Sequence, residues 1–223
     1  MIKGKSIKAI IPVRAGSERV KNKNIKPFAG NSLLEIKIKQ LLKIKSLDGV
    51  IVNTDSEEML KIAKKMGAIG IKRDSYYATS SVSINEVYVN LAQNCDSDII
   101  LFADATNPLI TDETVKIVID KYFQNIKTYD SCNTVDKVKL FMWKDGKPLN
   151  YDETNKPRSQ DLPPIFSINA AINVIAKDIM IKQRSFIGAK PLFVPVENFE
   201  GFDIDDELDF EFAEFMYKKY RMN

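Results

Sequence analysis

The chain has 223 residues, 44% of them hydrophobic, which is enough for one domain with its own core and too apolar for a disordered segment. Charged residues make up 28%, yet the formal net charge is only +3, which argues against a nucleic-acid-binding surface. Histidine is absent, so Ser-His and Cys-His nucleophile systems and histidine-ligated zinc are excluded, and any metal must be held by oxygen, as Mg2+ or Mn2+ would be.

Short apolar runs alternate with longer amphipathic ones. Ile7–Val13 predicts a buried strand, followed by the polar stretch Arg14–Lys26. Leu33–Ile44 predicts a helix, although Leu34–Lys39 also alternates as a strand would. Gly49–Asn53 is a second strand. Asp55 with Glu58 suggests a capping box for a helix to Met66, closed by Gly67. Ala68–Lys72, a helix over Ser83–Gln93, and the strand Asp98–Ala103 follow, then a helix capped by Thr111 or Asp112 and ending near Phe123. Val138–Trp143 with Asp145–Gly146 reads as a hairpin. Ala170–Ala176 and Pro191–Val196 are further strands, and Glu207–Tyr217 is a terminal helix with Leu208, Phe212, Phe215 and Met216 near one face.

This order predicts one α/β domain over residues 1–223, a Rossmann-like three-layer fold with a mostly parallel sheet. The hairpin and the proline-punctuated stretch after it make 136–170 an inserted arm, expected to pack on a second copy in a homodimer. Cys95 and Cys132 lie far apart in no metal-ligand spacing, as reduced thiols would. No apolar run reaches the ~20 residues that span a bilayer. The basic Met1–Lys8 leads into Ala9–Val13, which is too short for a signal-peptide core and is broken by Pro12. A cytoplasmic protein with no membrane partner is expected.

In parallel sheets ligands sit at the carboxyl ends of the strands. The first strand delivers Arg14-Ala15-Gly16-Ser17-Glu18-Arg19-Val20-Lys21-Asn22-Lys23-Asn24 to that edge. Gly16 lets the backbone approach an anion, and the cations Arg14, Arg19, Lys21 and Lys23 beside it suit a triphosphate. Neither GxxxxGK[ST] nor GxGxxG is present. Near the other end, Asp203 and Asp205 are two apart, so in an extended segment their carboxylates share a face while Ile204 points inward. A divalent cation between them would relieve the repulsion; the alternative is that Asp205, Asp206 and Glu207 only favour the start of the last helix. Asp206 and Asp209 fit the capping role better.

Ile11-Pro12-Val13-Arg14-Ala15-Gly16-Ser17 with Lys23-Asn24 resembles the opening motif of the CMP-sialic acid synthetases (acylneuraminate cytidylyltransferases), with CMP-KDO synthetases as more distant relatives. The resemblance continues in order through Ile51–Asp55, Arg73, Thr106–Leu109, Lys156-Pro157-Arg158 and Asp203–Asp209. It implies transfer of CMP from CTP to the hydroxyl of a sialic-acid-like 2-keto sugar acid, with release of pyrophosphate. Arg14 and Lys23 would hold the CTP phosphates, together with Ala15, Gly16 and Ser17 of the same turn. Asn24 and Arg73 would read the cytosine, and Asp203 and Asp205 would hold the metal. Asp104, Thr106, Asn107, Lys139 (or Lys137) and Arg158 are the candidate acceptor contacts, the last two from a neighbouring subunit as in the family. The base is either a metal-activated hydroxyl or a carboxylate: Asp203 or Asp205 acting through the metal, or Asp104 as a further candidate, with Arg14, Lys23 and Asp205 as the catalytic residues.

Two segments depart from the family. Asp104-Ala105-Thr106-Asn107-Pro108 stands for its Gln-Pro-Thr-Ser-Pro, and Ser167–Ala171 for its Arg-Pro-Asn-Gly-Ala. An acid at 104 would disfavour an acceptor carboxylate nearby. An alditol phosphate or phosphonate acceptor, or a silent nucleotide-binding relative, are the competing readings.

Overall fold

The computed structural model describes residues 1–17, 19–197 and 199–222. In chain order the elements are β1 (Ile7–Pro12), α1 (Leu33–Leu42), β2 (Gly49–Thr54), α2 (Glu57–Lys65), β3 (Ile69–Lys72), α3 (Ile84–Gln93), β4 (Ile99–Phe102), α4 (Asp112–Asn125) and β5 (Ser131–Val138). Then follow β6 (Trp143–Lys144), β7 (Lys147–Pro148), β8 (Ile165–Ala176), α5 (Lys177–Gln183), β9 (Pro191–Pro195) and α6 (Glu207–Tyr220). A seven-stranded sheet in the order β3-β2-β1-β4-β8-β5-β9 forms the middle layer. Only β8 runs against its neighbours β4 and β5; the other pairings are parallel.

Alternation along β1 sends Ile7, Ala9 and Ile11 to one face and Ile10 to the other, so the sheet is buried on both sides. The larger core lies under α1, α2, α4 and α6, through Leu33, Met59, Val115 and Phe210; the smaller lies under α3 and α5, through Val87, Leu91 and Met180. These three layers are the α/β architecture expected from the sequence.

Local differences have physical causes. The cap of α2 is Ser56, whose side chain accepts from the Met59 N–H, so Asp55 is released for another partner. Thr111 rather than Asp112 caps α4. The strand β5 and the helix α5 escape the sequence pattern: β5 carries Asn133, Thr134 and Asp136 among its apolar residues, and α5 is only seven residues long. On α6 the buried positions are Phe210 and Ala213, while Leu208, Phe212 and Phe215 are exposed. The predicted apolar face therefore points outward.

The expected hairpin is shorter than read. Asp145 and Gly146, both at positive φ, turn the two-residue strands β6 and β7, and Leu140–Phe141 before them stay outside any strand. The arm's base is instead the paired ends of β5 and β8, Val138 opposite Ile165. Among the described residues no helix is long and apolar enough to cross a membrane.

Candidate active site

The basic turn is fixed from beneath. Val13 donates its N–H to the Asn53 carbonyl at 3.1 Å, and Ala15 donates to Asp55 Oδ1 at 2.9 Å. Gly16, at φ +73°, then reverses the chain in the left-handed region that favours glycine. Arg14 reaches the Ala78 carbonyl at 3.1 Å, and Glu18 lies outside the described residues.

The acidic turn has the predicted alternation without being a strand: Ile204 is fully buried and Asp203 and Asp205 on either side are exposed. The Ile204 N–H donates to the Thr106 carbonyl at 3.0 Å, which seats this turn on the loop after β4. Asp206 and Asp209 form a reciprocal capping box for α6, as expected of them. Although the residue is exposed overall, partial desolvation of its carboxylate, with Asp205 beside it, pushes the Asp203 pKa up against the opposing hydrogen bond from Thr106.

The two turns meet. Arg19 pairs with Asp205 at 2.7 Å, Lys23 Nζ donates to the Ile204 carbonyl at 2.5 Å, and Lys26 pairs with Glu207 at 2.5 Å. Between them lies a cleft of about 270 Å³. Arg14, Ser17, Arg19, Lys23 and Asn24 line one side, and Asp104, Ala105, Thr106 and Asp205 the other. The Asn24 side chain is buried in this wall and its Oδ1 has no hydrogen-bond partner. A second hollow of about 610 Å³ is walled by Ile168, Phe199, Phe202 and Phe212 with Asp136, Asn169 and Asp203.

Asn169 comes from an irregularity in β8, where the register against β5 shifts between Asn133 and Val135 and Ala170 takes φ +56°. Its Oδ1 accepts from Thr134 Oγ1 at 2.7 Å and from the Ala171 N–H at 3.2 Å, which fixes the amide's orientation. Its Nδ2 is left buried and unpartnered.

Other sequence candidates fall elsewhere. Arg73 does not line the cleft: it is buried against Asn53, donating to Oδ1 at 2.6 Å and to the carbonyl at 2.8 Å, and burial lowers its pKa to about 10. Asn107 is fully buried, its amide donating to the Gly201 and Phe202 carbonyls at 3.2 Å, so it braces the acidic turn from below and is closed to an acceptor. Lys139, bonded to the Gln160 carbonyl, and Arg158, paired with Asp161, sit on the arm and do not line their own chain's cleft.

One cation was missed. Lys37 is fully buried on α1, its Nζ donating to the Asn107 carbonyl at 2.9 Å. The signal was available, since Lys37 shares the i, i+4 stripe of Leu33 and Leu41. Desolvation lowers its pKa to about 7, opposed by Asp104 and Asp112. Desolvation raises Asp104 to about 7, with Asp203 acting the same way and Lys37 and Lys23 against it.

The cytidylyltransferase family model matches residues 8–213. The chain belongs to this family. It is accordingly an enzyme of CTP-dependent nucleotidyl transfer. It is 29% identical to the pseudaminic acid cytidylyltransferase of Campylobacter jejuni, over 94% of this chain and 95% of that one. It is 26% identical to the post-translational flagellin modification protein B of Campylobacter coli, over 94% of each. It is also 29% identical to the N-acylneuraminate cytidylyltransferase of Escherichia coli, matching 92% of this chain and 50% of the longer relative. The fold matches that of a CMP:2-keto-3-deoxy-manno-octonic acid synthetase solved with CTP, at TM-score 0.71 and 13% identity, covering 96% of this chain and 99% of that one.

Proposed function

We propose that this cytidylyltransferase transfers CMP from CTP to the hydroxyl of a sialic-acid-like 2-keto sugar acid, releasing pyrophosphate, in a magnesium-dependent reaction of a cytoplasmic homodimer. The carrying observation is the single cleft in which the basic turn and the acidic turn are clamped together by Arg19–Asp205 and Lys23–Ile204. The names of the relatives, two of them cytidylyltransferases of acidic sugars, support the acceptor class.

In this reading Arg14 and Lys23 take the triphosphate, and the backbone of Ala15–Ser17 closes on it. They balance the charge that develops as the bond from the α-phosphorus to the leaving oxygen breaks and the acceptor oxygen bonds in its place. The hydroxyl proton passes to a carboxylate, Asp104 or Asp205 of the cleft or Asp203 of the second hollow. Asn24 presents its free Oδ1 to the base. Arg73 acts from behind, holding the end of β2 where Asp55 anchors Ala15. The second hollow suits the acceptor, with Asn169 Nδ2 as a waiting donor.

The donor set fits a magnesium ion. Asp203 and Asp205 offer two hard oxygen ligands, which suffices where phosphates and water complete the shell. Among the described residues no larger group of metal-ligating side chains is gathered there. Magnesium held by these residues would neutralise phosphate oxygens and acidify the acceptor hydroxyl.

The arm exposes Leu140, Trp143 and Leu149, apolar surface that a second copy would cover, bringing Lys139 and Arg158 to the partner's cleft. The test is pyrophosphate release from CTP and Mg2+ against a panel of 2-keto sugar acids, with an alditol phosphate as the contrasting acceptor. Release with the sugar acids alone is the expected result; release only with the alditol phosphate would overturn it.

A further inference from the structure

Between β9 and α6 the chain runs as an irregular strip, and Phe199, Gly201, Phe202 and Asp203 of that strip help to wall the second hollow. Glu200 stands among them but is not part of the wall. Its carboxylate goes to the start of α4 instead. Thr114 Oγ1 donates to Glu200 Oε2 at 2.5 Å. Thr111 donates its N–H to the same oxygen at 3.3 Å and its hydroxyl to Oε1 at 3.2 Å. That hydroxyl is free to donate, because the α4 cap uses its oxygen as the acceptor of the Thr114 N–H. Arg221, just past α6, lies 3.8 Å from Glu200 Oε1 and donates to the Leu109 carbonyl at 3.0 Å. An anion at a helix N-terminus is favoured by the helix dipole, and the Glu200 side chain, 14% exposed, is largely shielded from water there.

Further holds come from the strip's backbone. The Gly201 and Phe202 carbonyls accept from Asn107 Nδ2, and the Ile204 N–H donates to the Thr106 carbonyl. The strip is thus laid along the loop after β4 and the first turn of α4, with Glu200 fastening its upstream end. Gly201 follows directly, and a glycine leaves the backbone wide freedom. Without the Glu200 anchor the strip can shift ahead of the acidic turn, and a misplacement on the order of 1 Å is enough to cost about 10²-fold in rate.

We infer that Glu200 is a positioning residue for the acceptor: by pinning the strip to the start of α4 it fixes the wall of the second hollow and the Asp203 carboxylate, while the CTP phosphates, taken by the basic turn, do not depend on it. The acceptor half of this inference rests on the function proposed above; the pinning half does not.

The test uses the full chain and the variants Glu200→Met, Thr114→Val and the two together. Methionine is unbranched, as glutamate is, and brings no charged acceptor. The first measurement is Tm without ligand. Glu200→Met should lose about 5 °C, and the double variant should fall no more than about 2 °C below Glu200→Met alone. Additive losses would overturn the anchor whatever the enzyme's substrate. The second measurement is steady-state kinetics with Mg2+ and the sugar acid that the pyrophosphate assay identifies. Glu200→Met should raise the KM for that acceptor about tenfold and leave the KM for CTP within about twofold. Glu200→Gln, which keeps one acceptor oxygen for Thr114, should fall in between. A merely structural anchor would move both KM values alike or neither, and either result would overturn the positioning role. Should Glu200→Met fail to fold, Thr114→Val decides: a selective rise in acceptor KM supports the inference, and its absence refutes it. Coupled melting without turnover on any sugar acid would refute the acceptor reading and leave the anchor standing.

Discussion

The two halves of the sheet are built on different rules. In the half made by β3, β2, β1 and β4, the strands run parallel, and the loops after β1 and β4 form the cleft with the acidic turn. Each functional group there is held by a partner from the same half or from the acidic turn: Ala15 by Asp55, Arg73 by Asn53, Lys23 by Ile204. In the half made by β8, β5 and β9 the strands outrun the core, and the 139–164 segment carries exposed Leu140, Trp143 and Leu149. Its charged candidates pair only with neighbours on the same arm. The groups of the first half are held within one chain, and the second exposes the apolar surface on which the proposed dimer depends.

The largest effect should come from breaking the first half. Lys23→Ala or Asp205→Asn should lower kcat by about 10²–10³-fold, the range for removing one group that stabilises transition-state charge. Both should leave the circular dichroism spectrum unchanged. EDTA should abolish turnover and Mg2+ should restore it. Full activity in Asp205→Asn would refute its place at the metal.

Breaking the second half should cost less in chemistry and more in assembly. Trp143→Glu places a charge in the exposed apolar patch and should convert a dimer to a monomer by light scattering, with acceptor KM rising about tenfold. Arg158→Ala should raise that KM while the dimer persists. A dimer unaffected by Trp143→Glu would remove the arm from the interface.

The pH dependence of stability sharpens the contrast inside the first half. In the folded chain Lys37 is lowered from its ordinary 10.5 to about 7, by desolvation first, against the raising influence of Asp104 and Asp112. Between those values the unfolded chain binds the proton that the folded chain lacks, so this group makes stability rise with pH from about 7 to about 10.5. Urea denaturation at fixed pH steps should show that rise in the wild-type chain, and Lys37→Met should flatten it. An equal slope in both would show that Lys37 keeps its ordinary pKa.

How far the sequence reached follows the same division. The parallel half was legible because β1, β2 and β4 are short apolar runs and Ser83 and Thr111 cap their helices in the usual way. Of its candidate site, Arg14, Lys23 and Asp205 were named from the sequence and line the cleft, since charge clustered at strand ends is a local pattern. Asn169 was not singled out, because its meaning depends on a strand irregularity that no local spacing reports, whereas Lys37 was overlooked although its i, i+4 spacing with Leu33 and Leu41 marks it as core-facing. The strand β5 was lost for a related reason. Asn133 bonds to Asn173 and to the Phe186 carbonyl, and Thr134 bonds to Asn169, so its polar residues are satisfied by partners distant in the chain. The wrong face predicted for α6 shows the same limit: Leu208, Phe212 and Phe215 form an apolar stripe at helical spacing, yet Phe210 and Ala213 take the core.

The smallest predicted effect falls where the two halves touch. Gly201 precedes the acidic turn and is buried against Asp136 at the end of β5 and Asn169 in the β8 irregularity. A Cβ at this position would collide with Asp136 Oδ1 and Asn169 Nδ2, neither of them the far end of a long flexible side chain. Gly201→Ala should therefore cost about 1–3 kcal/mol, the ordinary penalty for overpacking, read as a fall in Tm. Asp136→Ala in the same chain should return part of it by making room. Because the collision pushes on Asn169 and on the carbonyl that Asn107 holds, the acceptor KM should rise in Gly201→Ala more than the KM for CTP. Equal changes in both would mean that the two hollows are not separate subsites.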